Sequence, residues 1–295
     1  MLEAEIIQGR RIGGGEIAEI RGLIEKNPGW NRQRLSQVLA ERWQWYAASG
    51  QLKDMAARTL LLKLHDRGLI GLPPRRRAPV TRRLGAGPDL FESVPPEPVV
   101  ASLSSLRPLQ VQVVGPKDPD YRLFQRYLRQ HHYLGHRGPV GENLGYLIRS
   151  RAGLDLACLL FGAAAWQCAA RDRWIGWSAQ QRGQGLPFIA NNSRFLILPS
   201  VVVPHLASHL LSQIARRIDG DWQRRYRHPL HLLETFVQQD RFRGICYQAA
   251  NWIRVGQTTG RTRQSQRHRD NAVHAPVKDI YLYPLRCDAR RRLCR

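Results

Sequence analysis

Along residues 1–72 apolar side chains recur three and four positions apart, the spacing of one helix face. Ile17, Ile20, Leu23 and Ile24 mark the first stripe, over residues 16–27, and Pro28 with Gly29 ends it. Asn31 is placed to cap a second helix bearing Leu35, Val38, Leu39 and Trp43. After Gly50, the residues Leu52, Ala56, Leu60 and Leu64 run at strict i, i+4 spacing through a third, which Gly68 closes in a left-handed cap. LIGLPP, over 69–74, reads as a short apolar strand, and Arg75, Arg76 and Arg77 follow as a basic turn.

That order is the order of a winged helix-turn-helix, whose third helix enters the major groove while the wing reaches phosphates. Lys53 and Arg58, with His65, lie off the leucine stripe and are the expected contacts of that helix. A helical dimerisation module would carry the same stripes. Residues 73–108 hold eight prolines and six arginines with no sustained period, and predict an extended linker.

Beyond residue 109 the period changes. A helix is expected at 121–132, then a hairpin of strands at 144–149 and 156–166, the second apolar on both faces. A strand at 190–198 leads into a long helix at 204–226, a strand at 229–237, a short helix at 244–251, and last strands at 252–256 and 280–285. The expected fold class is therefore mixed α/β: a winged-helix domain at 1–72, the linker, and a mixed sheet with flanking helices at 109–295.

Charge narrows the function. The 295 residues carry 46 Lys and Arg against 23 Asp and Glu, a formal +23, and only five of the cations are lysines. A GC-rich gene exchanges lysine for arginine but does not make bases twice as frequent as acids. Arginine pairs bidentately with phosphate, so double-stranded DNA is the expected partner. The longest apolar run, residues 156–166, is short of the roughly 20 residues a spanning helix needs, so no membrane partner is expected. An odd set of five cysteines without a CxxC pair, and no visible secretory signal, place the expected location in the reducing cytoplasm.

HHYLGHRGPVGENLGYLI, NNSRFLILP, HLASHLL, LETFV, FRGICYQAANWIRVGQTTGR and PVKDIYLYPL, with WQWYAASGQLKDMAARTLLLKLHDRGLIGLPPRR near the N-terminus, resemble the bacterial DruA-like family found in Druantia anti-phage systems and beside transposons. The resemblance covers nearly the whole chain and is densest between Tyr133 and Leu285. It implies a role in phage defence or with mobile elements, with other defence proteins as partners. The strand and helix order of the C-terminal part matches GNAT-type acyltransferases, and GICYQAANWIRVGQT is similar to the phage Mom DNA-modifying enzymes, where a Tyr-bearing helix precedes a closing strand.

The GNAT pattern departs at one place. In that fold a glycine-rich loop between strand and long helix offers N–H groups to the cofactor pyrophosphate. Here the position reads LPSVVVPHLAS, without glycine, while QQRGQG at 180–185 precedes the strand and reads as a mobile loop. The cofactor is left open.

Polar residues inside strand and helix segments are costly unless paired, which marks Asn192, Arg194, Glu234 and Asn251 as the catalytic candidates. Glu234 is offered as general base and Arg194 as an anion clamp. Nucleic-acid contacts are expected at Arg171, Trp174 and Arg254 and, in the basic insertion 256–273, at Arg261, Arg263 and Arg267. His131, His132 and His136 cluster without a CxxC or HExxH spacing, so no metal site is expected. Three functions follow: a DNA-binding defence component, a DNA-modifying transferase, and a transposase-like metal-dependent nuclease drawing on Asp155, Asp172, Glu234 and Asp279.

Overall fold

The structure, a computed structural model, describes residues 5–8, 10–47, 50–74, 98–136, 138–260 and 276–295. They divide into two compact units, Met1–Ser93 and Val94–Arg295.

In the first unit β1 (Glu5–Ile7) and β2 (Arg10–Ile12) form an antiparallel hairpin. Helices α1 (Gly14–Lys26), α2 (Arg32–Arg42) and α3 (Asp54–Asp66) follow. Glu16 begins α1 by accepting the Gly13 N–H at 2.8 Å, and Asn31 Oδ1 caps α2 by accepting the Arg34 N–H at 2.8 Å. The expected stripes are the buried faces: Ile17, Ile20, Leu23, Leu35, Leu39, Leu60 and Leu64 share one core with Ile7, Ile12 and Trp45.

The strand expected at 69–74 does not form. Its carbonyls are taken by side chains instead of a ladder: Arg21 Nε donates to Leu69 O at 2.8 Å and Arg32 Nε to Pro73 O at 2.6 Å, while Ile70 inserts into the core. Among the described residues the strands of this unit are the N-terminal hairpin, which the apolar pattern did not reveal.

The second unit begins inside the stretch expected to be linker. Strand β3 (Val99–Val100) and the one-turn α4 (Leu103–Leu106) precede β4 (Gln110–Val114), and Leu106 is part of the main core. Then come α5 (Tyr121–His131), β5 (Asn143–Arg149), β6 (Asp155–Ala163), α6 (Ala169–Ile175), α7 (Ala179–Gly185) and β7 (Ile189–Ile197). The chain continues through β8 (Val201–Val202), α8 (Leu206–Ala215), α9 (Ile218–Tyr226), β9 (Leu232–Gln238), α10 (Ile245–Ala249), β10 (Ile253–Gln257), β11 (Lys278–Pro284) and α11 (Ala289–Leu293).

Seven strands form one sheet in the order β10-β11-β9-β7-β6-β5-β4. Every neighbouring pair is antiparallel except β7 with β9. Leu156–Phe161 of β6 are buried on both faces, as a central strand requires. One face carries the main core with α5, α8, α9 and α10; the other packs Ile189, Leu232 and Leu282 against Ile175, Trp177, Leu186 and Leu293.

Two expectations change. The single helix over 204–226 is two, broken at Arg216 and Arg217. From the break Arg217 donates to Val111 O at 2.9 Å and to Asp221 at 2.7 Å, and buried Asp221 also accepts from Tyr146 Oη at 3.0 Å. The QQRGQG string is α7 rather than a loop, because Ser178 and Gln181 make a reciprocal capping box and Gly185 lies against Trp177, 2.7 Å from where a Cβ would stand. Among the described residues no helix is long and apolar enough to cross a membrane.

Candidate functional site

The parallel pairing of β7 with β9 is short. It joins Ile189, Ala190 and Asn191 to Leu232, Leu233 and Glu234 and goes no further. At that point β7 carries a bulge: Leu160 pairs with Arg194 and Phe161 with Asn192, so Ser193 is an extra residue. A cavity of about 730 Å³ lies where the pairing ends, within the roughly 300–1,000 Å³ of small-molecule sites. Asn192 and Phe195 of β7, Thr235 of β9 and Tyr247 of α10 line it, together with the turns at 131–134 and 241–244.

A buried hydrogen-bonded set forms one wall. Tyr247 Oη donates to Asn192 Oδ1 at 2.7 Å, Asn192 Nδ2 donates to Arg194 O at 3.1 Å, and Thr235 Oγ1 donates to Asn192 O at 3.0 Å. Burial pushes the Tyr247 hydroxyl far above its ordinary value, so it remains a proton donor at neutral pH. Helix α10 presents Tyr247 because Gly244 precedes it at φ +70°, folded against the ring of Tyr281.

The mouth is aromatic and cationic. Tyr133 stacks on His132 at 4.9 Å, meets Phe242 at 5.3 Å, and carries the Arg241 guanidinium 4.8 Å from its ring centre. Burial, with Arg194 nearby, lowers His132 to about 4 and keeps it neutral. A second lobe of about 290 Å³ adjoins, sharing Leu134, Asn192, Ser193 and Phe236 with the first. Arg194 and Lys278 both line it, and burial lowers both cations, Lys278 further through its neighbour Arg194. Among the described residues Arg194, Arg241, Arg243 and Lys278 make no ion pair; Asp240, next to Arg241, is a carboxylate whose charge reaches Tyr133.

The structure brings Asn192 and Arg194 together at the cavity and leaves Glu234 and Asn251 elsewhere. Successive strand side chains face opposite ways, so Thr235 meets the cavity and Glu234 lies behind it. There Glu234 accepts from Ala165 N at 2.6 Å and from Arg171 Nη1 at 2.9 Å, and neither residue has any exposed side-chain surface. Burial raises the Glu234 carboxyl while Arg171 opposes the rise. Both oxygens are engaged, which leaves none to take a substrate proton. Asn251 is exposed in a left-handed turn (φ 61°) after α10, a backbone role suited to asparagine.

Arg171, expected on a nucleic-acid rim, is instead locked inside the fold by Glu234, Asp172 and Ala165 O. Trp174 packs with the smaller core under the Arg290 guanidinium, 5.4 Å away. Arg254 is exposed on edge strand β10 and paired with Asp279 at 2.6 Å. In the first unit Lys53 stands at the start of α3, and half-buried Arg58 lies 3.8 Å from Asp54. His65 is turned back onto Ile70 O at 3.1 Å. Arg75, Arg76, Arg77, Arg261, Arg263 and Arg267 lie outside the described residues.

The four carboxylates of the nuclease reading do not converge. Asp155 pairs with Arg149, Asp172 and Glu234 with Arg171, and Asp279 with Arg254. Lys278, Tyr247, Phe242 and Arg241, the other side chains of the two lobes, were not singled out from the sequence as site residues; the tyrosine helix was the visible hint.

A mixed sheet whose one parallel pair comes apart over a cavity, with helices on both faces, defines a mixed α/β domain. The chain belongs to the DruA family: Druantia protein DruA matches residues 95–267. No curated protein matches the chain. Among solved structures it is similar to a spermidine N-acetyltransferase from Vibrio cholerae with CoA and spermine (9% identity, 59% of this chain and 94% of that one, TM-score 0.38). It is also similar to a putative acyl-CoA N-acyltransferase from Klebsiella pneumoniae (15% identity, 60% and 98%, TM-score 0.34).

The residues present do not form the pyrophosphate cradle of a coenzyme A site. Val201 N donates to Leu198 O, Ser200 O accepts from Val99 N, and Val201–Val202 is a strand paired with Val99–Val100. Helix α8 then begins from His205 in a left-handed conformation, with Leu206 N donating to Val203 O. These backbone groups are spent on the fold rather than turned toward a ligand.

Proposed function

We propose that the protein is a DNA-binding component of bacterial anti-phage defence, working with other defence proteins in the cytoplasm, and that its C-terminal domain engages nucleic acid at the cavity between β7 and β9. The observation that carries this reading is a set of cations without ion-pair partners among the described residues: Arg241 and Arg243 at the aromatic cavity mouth, and Arg194 and Lys278 in the lobe beside it. Cations beside apolar, stackable surface suit phosphate and base together. The first unit is assigned the winged-helix role, with Lys53, Arg58 and the arginines 75–77 toward phosphates. The stretch 73–108 is assigned the linker role up to the first strand of the second unit, Val99–Val100. Arg254 on β10, with Arg261, Arg263 and Arg267 of the basic insertion, is assigned to phosphates.

Fluorescence anisotropy with a labelled duplex tests the reading. Affinity should fall steeply between about 50 and 200 mM salt, and Arg241→Glu with Arg243→Glu should weaken it and flatten the salt dependence. Absence of duplex binding at low salt would remove the proposal.

A second reading, a DNA-modifying transferase, draws on the buried Tyr247 hydroxyl beside Asn192, a positioned proton donor facing the cavity. Nucleoside mass spectrometry of DNA from expressing cells should then show a new mass that Tyr247→Phe removes.

A further inference from the structure

The lobe beside the main cavity has a chemistry of its own. Its charged wall is Arg194 and Lys278, contributed by β7 and β11, and no carboxylate among the described residues pairs with either. Arg194 is fixed in place rather than swinging: Nε donates to Gly135 O at 2.8 Å and Nη1 to Ser193 O at 2.7 Å. Two half-buried like charges held near each other are unfavourable unless an anion joins them. Ser193 and Thr258 line the same lobe, and so does Asn191, whose Oδ1 is buried without a hydrogen-bond partner.

The main cavity opens directly from this lobe across Asn192, Ser193 and Phe236, and its walls are of the opposite character. Phe195, Phe236 and Phe242 line it, and at its mouth Phe242 is 47% exposed beside Tyr133. A ligand filling both lobes is anionic at one end, flat and apolar at the other, and carries a polar link able to use the buried Asn191 oxygen.

We propose that the two lobes together bind one nucleoside monophosphate unit, its phosphate on Arg194 and Lys278 and its base in the aromatic-lined cavity. The proposal deepens the nucleic-acid reading above and rests on it for the source of the nucleotide. The same chemistry is offered by a free nucleotide and by a nucleotide unstacked from a strand.

Two measurements on the full chain separate these sources. In the first, the four deoxynucleoside 5′-monophosphates, the matching nucleosides and inorganic phosphate are titrated by calorimetry against the wild type, Lys278→Ala, Lys278→Arg and Phe242→Ala. At least one monophosphate should bind more tightly than its nucleoside and than phosphate alone. Lys278→Ala should weaken it at least about tenfold, as loss of a charge-assisted contact does, and Lys278→Arg should restore part of that. Phe242→Ala should weaken the nucleotide while leaving phosphate unchanged.

In the second, a duplex bearing 2-aminopurine should brighten on binding as the base leaves its stack, and Lys278→Ala should abolish the brightening while anisotropy still shows the duplex bound. Monophosphate binding without duplex binding would assign the site to free nucleotides and overturn the DNA reading alone. Duplex binding with neither arm sensitive to Lys278 would overturn the inference alone. Phosphate binding as tightly as every nucleotide would also overturn it, and failure of every arm overturns both. Thermal melts of each variant confirm that the fold is kept.

Discussion

Glu234 was the obvious candidate for a general base, and its surroundings make the opposite expectation quantitative. The carboxylate and the Arg171 guanidinium are both fully buried, 2.9 Å apart, and the second oxygen of Glu234 holds the Ala165 N–H. Glu234→Ala leaves that amide and one edge of Arg171 without partners. Removing one member of a buried pair costs about 3–5 kcal/mol. Against a total of about 5–15 kcal/mol for a folded domain, that is about a fifth of the stability or more. For a unit of this size it lowers the melting temperature by about 6–20 °C. The double variant Arg171→Met with Glu234→Leu removes both charges and fills similar volume, so it should recover most of the loss; Asp172 keeps Arg182 at 3.5 Å. Circular dichroism melts of the wild type, the single and the double variant check this, alongside phage protection in cells. A Glu234→Ala protein that melts within about 1 °C of wild type yet gives no protection would refute the reasoning and return the residue to chemistry.

Further consequences follow from the same geometry. Tyr247→Phe removes the donor to Asn192 and should cost about 1 kcal/mol, read by urea denaturation, while leaving the fold intact. Gly244→Ala puts a Cβ 2.8 Å from Tyr281 Cζ in a left-handed conformation, so it should destabilise by about 1–3 kcal/mol and disturb α10. His132, lowered to about 4, is neutral in the fold and protonates in the unfolded chain near 6.5. Its contribution to stability is therefore full above that value and falls progressively from about 6.5 to 4. NMR titration should show its ring neutral at pH 6, and His132→Gln should reduce the loss of stability over that window.

Much of this was legible where a period was long and one-sided. The stripes of α1 and α3 and the continuous apolar run of β6 named their own buried residues. Short elements were not legible: β4 offers Val111 and Val113 against two glutamines in five residues, and α7 was hidden by its glycines although Ser178-x-x-Gln181 carried the capping signal. The strand expected at 69–74 failed because apolar content alone cannot say whether carbonyls meet a ladder or arginine side chains. At the site, the rule that a polar residue in a strand needs a reason found both Asn192 and Glu234 but could not separate them. Strand parity does: one step along β9 moves a side chain from the cavity to the opposite face, and a single-residue bulge at Ser193 shifts that parity on β7. Lys278 was out of reach because it joins the site only through the antiparallel register of β11 on β9, opposite Gln238.

That separation also alters what the net charge means. A formal +23 suggests a surface covered in unused cations, yet many arginines are consumed by the fold itself. Arg149 serves Asp120 and Asp155, Arg171 serves Glu234 and Asp172, Arg217 serves Asp221, Arg286 serves Asp219, and Arg292 serves Asp288. A charge already engaged by a carboxylate contributes little counterion release when DNA arrives, since the pair must first be broken. The cations that count are those with no carboxylate to leave; among the described residues some of these, such as Arg122, Arg126, Arg173 and Arg216, are exposed elsewhere, while Arg194, Arg241, Arg243 and Lys278 gather at one cavity and the lobe beside it. Composition set the expectation of an anionic partner; pairing decides where on the domain a phosphate would gain most.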